Sequence, residues 1–146
     1  MENQGSNYLR ELIRLLVREL GILEKGDSNC SGVSISQCHA IVEVGRAEEI
    51  SLNELAKILT LDKSTMSRTI NKLVEDCLVA RELHQEDRRY ITIKLTCSGT
   101  KIFENIEATM GKYYNDIFMN IQEDKRQQVL ESLKLLTKAV NINKNC

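Results

Sequence analysis

The stretch that most constrains this chain runs from Ser51 to Leu95, where the spacing of apolar residues changes from helical to strand-like within a few positions. Ser51 stands three residues before Glu54, the capping-box pattern in which each side chain satisfies a backbone N–H left unpaired at a helix start. Leu55, Ala56 and Leu59 give the short helix that follows, Leu52 to Leu59, one apolar face. Thr60 and Leu61 form a tight connection, and Asp62 is placed to N-cap a second helix from about Lys63 to Asp76. On that helix Met66, Ile70, Leu73 and Val74 fall on one side, and Ser64, Ser67, Arg68, Asn71 and Lys72 on the other.

Behind this pair the period drops to two. Leu78 to Leu83 reads as a strand, His84 to Arg88 as a charged tip, and Arg89 to Leu95 as a returning strand in which Ile91, Ile93 and Leu95 alternate with Thr92 and Lys94. Two short helices joined by a few residues make a helix-turn-helix, and a half-buried hairpin with a basic tip directly after one has the form of a DNA-binding wing.

The flanking sequence is helical. Leu9, Leu12, Ile13, Leu16 and Leu20 predict a first amphipathic helix from about Ser6 to Leu23, followed by a polar stretch, Glu24 to Gly32. Arg10, Arg14 and Arg18 share another face of that helix and read as solvated surface. A second helix is expected from about Ser34 to Arg46, with Ala47 to Ile50 as a plain connection. Thr96 caps a long helix from about Cys97 to Met119, Gln122 to Lys125 forms a joint, and a last helix runs from about Glu123 to Val140 before a frayed tail. Val129, Leu130, Leu133, Leu136 and Val140 form a stripe on the last helix for which a partner subunit is the natural cover.

Composition narrows the function. The apolar share of 42% supports a real core, and the absence of Pro suits a helix-rich chain. No apolar run approaches the roughly 18 residues of a membrane span, and the N-terminus lacks the features of a signal peptide, so the expectation is a cytoplasmic protein without a membrane partner. A net charge of −1 excludes wholesale coating of nucleic acid, so any DNA contact must be local. Between Lys57 and Lys94 eight basic residues stand against six acidic ones, a mild local excess. Only His39 and His84 are present, with no Gly-rich phosphate loop and no nucleophile beside a base, which argues against an enzyme and leaves a protein-interaction module as the alternative to a DNA binder. The five cysteines, Cys30, Cys38, Cys77, Cys97 and Cys146, are odd in number and contain no C-x-x-C pair, so neither a disulfide framework nor a zinc site is expected, and no cofactor or metal is called for.

The helix-turn-helix text from Leu52 to Arg68, the wing text Asp87-Arg88-Arg89, and Ile93-Lys94-Leu95-Thr96 with Gly99 beyond it together resemble the MarR family of winged helix-turn-helix regulators. The resemblance implies a mainly α fold with a small β-hairpin wing, divided into an N-terminal dimerisation helix over 1–34, a DNA-binding winged helix-turn-helix over 35–98 and C-terminal dimerisation helices over 99–146. It further implies a homodimeric transcriptional regulator that binds a pseudo-palindromic operator in double-stranded DNA and represses from it, with release by a small-molecule or thiol-reactive effector.

Lys63, Ser64, Thr65, Ser67 and Arg68 then fall in the first turns of the recognition helix, with Arg68 the main base reader and Lys72 and Arg88 assigned to phosphates. Arg89 matches the wing Arg that enters the minor groove, and Asp87 the residue that orients the hairpin. Cys30 and Cys38 lie in the implied effector region as candidate sensor thiols, although a cysteine on the inward face of a helix is ordinarily a small buried hydrophobe. The chain departs from the family at Cys77, where members usually carry Gly in a left-handed helix cap, so that either Cys77 is mildly strained there or the cap is built differently.

Overall fold

The computed structural model describes residues 3–20, 32–83, 86–87 and 90–144. Its helices are α1 (Gln4–Glu19), α2 (Ile35–Ala47), α3 (Leu52–Ile58), α4 (Lys63–Glu75), α5 (Cys97–Asn120) and α6 (Arg126–Lys144), and its strands are β1 (Ile50–Ser51), β2 (Val79–Leu83) and β3 (Ile91–Leu95). The chain forms two compact units that divide at Thr109, within α5.

In the first unit the core gathers around α2 and α4. Ile41 and Val44 of α2, Leu55 of α3, Met66, Ile70 and Leu73 of α4, Ile93 of β3 and Ile106 of α5 are fully buried. The apolar side of α4 is the one its spacing predicts, with only Val74 less deeply buried than expected. Among the described residues no polar or charged side chain is buried, so apolar contact holds this unit together.

Local chemistry sets the element ends. The Asn3 side chain accepts from Gly5 N–H at 3.0 Å, so α1 begins two residues before Ser6, and it stops at Glu19 with Leu20 in a turn. Ser34 is the N-cap of α2 and closes a full capping box. Its Oγ accepts from Gln37 N–H at 3.2 Å, and its own N–H donates to Gln37 Oε1 at 2.9 Å. The expected plain connection from Ala47 to Ile50 is instead partly a strand. Ile50 pairs with Ile93 and Ser51 with Thr92, giving a three-stranded antiparallel sheet in the order β1-β3-β2. Two residues are too few to display alternation, and burial of Ile50 fixes the pairing. Ser51 ends β1 and also caps α3, its Oγ accepting from Glu54 N–H at 3.1 Å.

Helices α2, α3 and α4 are each followed by a non-glycine residue of positive φ: Glu48 at 67°, Thr60 at 54° and Cys77 at 60°. After α3, Thr60 N–H donates to Lys57 O and Leu61 N–H to Ala56 O; after α4, Cys77 N–H donates to Val74 O and Leu78 N–H to Leu73 O. Both pairs are Schellman caps, which demand a left-handed residue at the position Thr60 and Cys77 occupy. Cys77 therefore takes the strained left-handed position itself, and the cap is not built differently.

Thr96 joins the wing to α5. Its N–H donates to Leu78 O at 3.1 Å, its hydroxyl donates to Cys77 O at 2.6 Å, and the same oxygen accepts from Gly99 N–H at 3.1 Å as the cap of α5. Gly99 lies so close to the strand base that a Cβ there would sit 1.9 Å from Leu78 O.

In the second unit a single 3-10 turn, Glu123–Lys125, leads into α6. Arg126 folds back over the end of α5, its Nε donating to Phe118 O at 3.2 Å and to Ile121 O at 3.1 Å while its guanidinium lies 5.2 Å from the Phe118 ring centre. Carbonyls that helix α5 cannot satisfy internally are paired in this way. Helix α6 continues to Lys144, through residues expected to fray, because no Gly or Pro interrupts Asn141 to Lys144. Among the described residues no helix is long and apolar enough to cross a membrane.

Two substitutions test this account. Gly99→Ala should destabilise the protein by about 3 kcal/mol, since the added methyl meets a backbone carbonyl that cannot rotate away. Thr60→Gly should stabilise it by about 0.5–1 kcal/mol, because relief of about 1–2 kcal/mol of left-handed strain exceeds the extra chain entropy of glycine. Urea denaturation reads both, and a Gly99→Ala protein as stable as wild type would contradict the close packing.

Candidate nucleic-acid interface

With Met66, Ile70 and Leu73 anchored in the core, α4 turns its opposite side outward. Lys63, Ser64, Arg68 and Lys72 are exposed there, and Thr65 and Ser67 are half-buried. These six residues, all named from the sequence, are therefore all at least partly accessible on α4. Short hydroxyls at the first turn and a long guanidinium one turn later give that face both close and extended hydrogen-bonding reach.

The first turn is organised by a small cluster. Asp62 occupies the N-cap with extended backbone, but its contact with the backbone is too loose to count as a cap hydrogen bond. The Thr65 hydroxyl beside it holds the Asp62 carboxyl below its ordinary value, with the Thr65 N–H and the Arg68 charge acting in the same direction. Arg68 Nη2 in turn donates to Thr65 Oγ1 at 3.4 Å, a long bond that is easily exchanged for a better acceptor. Further along, Lys72 Nζ lies 3.4 Å from Asp76 and 4.0 Å from Glu75, so its charge is shared with the last turn of its own helix. Both pairs are exposed, where such bridges are worth little and can open toward a phosphate.

The wing is fixed to this helix by a contact that sequence reasoning missed: Arg81 Nη1 of β2 donates to Asn71 Oδ1 of α4 in a short hydrogen bond. Both residues are visible in the sequence, but the hairpin register needed to bring them together depends on the cap at Cys77. On β3, Lys94 bridges Glu82 at 3.7 Å and Glu49 at 3.9 Å, tying the wing to the end of α2. Asp87, expected to orient the hairpin, is half-buried, and its carbonyl accepts from Tyr90 N–H at 3.0 Å, just ahead of β3. Arg88 and Arg89 lie outside the described residues, as does Cys30. Cys38 is buried at 8% exposure on the inward side of α2, as expected of a small hydrophobe. Among the described residues no group of three or more His, Cys, Asp or Glu side chains is placed to hold a metal ion.

The sequence model of the MarR family matches residues 31–89, from the approach to α2 past β2 and ending before β3. The HTH-type transcriptional regulator BilQ of Clostridium symbiosum is 25% identical over 114 residues, which cover 78% of this chain and 79% of that protein. Among solved structures, Streptococcus pneumoniae FabT in complex with DNA superposes with a TM-score of 0.83 at 19% identity, covering 93% of this chain and 97% of that one. The S. aureus MepR–DNA complex gives 0.76 at 21% identity, covering 89% and 96%. Over residues 31–89 the chain is thus similar to the MarR family, and it shares the fold of FabT and MepR.

Removal of the Arg81 side chain should loosen the wing without unfolding the core. Arg81→Ala is expected to lower stability by about 0.5–1 kcal/mol, as for a partly exposed hydrogen bond, and to speed amide exchange in Val79–Leu83 more than in α2. Equal protection of the two elements in wild type and variant would show that the Asn71 contact does not hold the wing.

Proposed function

We propose that this DNA-binding regulator acts as a homodimer on a pseudo-palindromic operator in double-stranded DNA and represses transcription by occupying it, until a small-molecule or thiol-reactive effector releases it. The observation that carries the reading is the outward face of α4, where Lys63, Ser64, Thr65, Ser67 and Arg68 stand on a helix whose opposite face is locked into the core. A helix so held presents its N-terminal turns to a major groove as a rigid unit. Arg68 is assigned to a base edge, where a guanidinium pairs with guanine in a bidentate manner. Lys63, Lys72 and Arg88 are assigned to phosphates, Arg89 to the minor groove beside the wing, and Asp87 to holding the tip in place.

Dimerisation is assigned to the helices outside the winged segment, α1 in 1–34 and the helical residues of 99–146. On α1, Leu9, Leu12 and Leu16 are 44–46% exposed, and on α6 Leu130, Leu133 and Val140 are 45–48% exposed. Apolar rows of this kind on both terminal helices exceed what an isolated small chain leaves open and suit a second copy. With only Cys38 of the two proposed sensor thiols described, and that one buried, the effector is assigned by class alone.

Three measurements bear on this. Arg68→Ala should reduce discrimination at one operator base pair by about 1–3 kcal/mol, whereas uniform weakening on all sequences would assign Arg68 to the backbone. Arg89→Ala should weaken binding to every duplex and lower the salt slope by about one unit, and an unchanged slope would remove the wing contact. Leu133→Asp should shift the protein from dimer to monomer in sedimentation, and a variant that remains dimeric would place the subunit contact elsewhere.

A further inference from the structure

Asp62 stands at the N-cap of α4 with extended backbone, yet its carboxylate forms no cap hydrogen bond. The helix start is otherwise in order, since Met66 N–H donates to Asp62 O at 3.0 Å. The carboxylate is thus not spent on the backbone. Side chains at the N-cap and the third helical position face each other across a first turn, and here the third position is Thr65. Thr65 Oγ1 accepts from Arg68 Nη2 at 3.4 Å, which leaves the hydroxyl hydrogen for an acceptor on the other side. Asp62 is that acceptor: the bond from the Thr65 hydroxyl holds its carboxyl below the ordinary value, with the Arg68 charge acting in the same direction. A chain from Asp62 through Thr65 to Arg68 therefore runs along the first turns of α4. Among the described residues Arg68 is in no direct ion pair, whereas Lys72 shares its charge with Asp76 and Glu75. Held through a neutral hydroxyl, the guanidinium spends one of its five N–H donors and keeps the two that a guanine edge needs. A helix N-terminus also attracts phosphate of any sequence, and a carboxylate at the N-cap opposes that attraction.

We propose that Asp62 is a specificity-determining residue, which positions Arg68 through the Thr65 hydroxyl and keeps the phosphates of unrelated DNA from the start of α4. This role rests on the assignment of Arg68 to a base edge. A guanidinium already ordered against the first turn gives up less freedom on reaching its guanine. Repulsion of phosphate weakens binding to every duplex alike, and only the duplex that offers Arg68 its guanine recovers the loss. Asp62 itself touches no base; it is a positioning residue that acts through Arg68.

The test measures wild type, Asp62→Ser, Thr65→Val, Arg68→Ala and the Asp62→Ser, Arg68→Ala double variant by fluorescence anisotropy at matched salt. The probes are the intergenic duplex upstream of the coding region, its single-base-pair variants and a scrambled duplex. Serine keeps the N-cap preference while removing the charge, so the fold is retained. In Asp62→Ser, discrimination at the base pair that Arg68 reads should fall by about two- to tenfold, the span that ordering one long side chain covers. Affinity for the scrambled duplex should rise by about two- to fivefold, the strength of one charge at a helix N-terminus. Thr65→Val, which removes the hydroxyl and keeps the shape, should show the same loss of discrimination. In the Arg68→Ala background Asp62→Ser should cost no further discrimination. Additive losses, a Thr65→Val protein that discriminates as wild type does, or a scrambled duplex bound no better would overturn the proposal. Loss at a second base pair would also overturn it, making Asp62 a direct reader of cytosine. An Arg68→Ala protein with undiminished discrimination at every base pair would overturn the base-reading assignment itself, and the proposal with it.

Discussion

The winged unit depends on the close meeting of three backbone segments at Thr96. One hydroxyl donates to the end of α4 and accepts from the start of α5, while the neighbouring amide holds the base of β2. Gly99 brings α5 against Leu78 O at a distance that no side-chain-bearing residue allows. Because α4 and the wing both terminate at this point, their relative positions are set by a few hydrogen bonds of fixed geometry rather than by the less directional contacts of the core.

Everything outward-facing on α4 follows from that fixation. Met66, Ile70 and Leu73 determine which side of the helix is buried, the Schellman cap at Cys77 determines where the helix stops, and the Arg81–Asn71 bond ties the wing beside it. The turns at Thr60 and Cys77 accept left-handed strain without glycine. Strain of this kind persists only where surrounding packing over-determines the conformation, and here each strained residue lies at a junction between helices or between helix and strand. The stability given up at these turns goes into a single arrangement of α3, α4 and the wing.

Much of this was legible in the sequence because the signals were local. Ser51 and Glu54, the apolar spacing on α4 and the alternation of Ile91, Ile93 and Leu95 each act within a few residues, so the helix-turn-helix and hairpin could be drawn before any tertiary contact was known. At Cys77 the resemblance left two readings open, a strained left-handed residue or a cap built differently, and the observed φ of 60° is the first. What escaped notice was non-local or too short. Strand β1 has two residues and exists because Ile50 is buried against the sheet, and the Arg81–Asn71 bond requires the register of the hairpin. The Ser34–Gln37 box was a local signal and was readable, but Gln at the third helical position draws less notice than Glu. On α4, Ser64, Arg68, Asn71 and Lys72 are exposed and Ser67 half-buried on the side that helical periodicity assigns them.

The central claim is that the outward face of α4 and its adjoining wing recognise a DNA sequence. Its most direct test is fluorescence anisotropy of the reduced protein with the intergenic DNA upstream of its own coding region, against a scrambled duplex of equal length and composition, at two salt concentrations. The account predicts tight binding to the first duplex, at least about a thousandfold stronger than to the second under matched salt, with affinity for both falling as salt rises. Weak binding of equal strength to the two duplexes would contradict it.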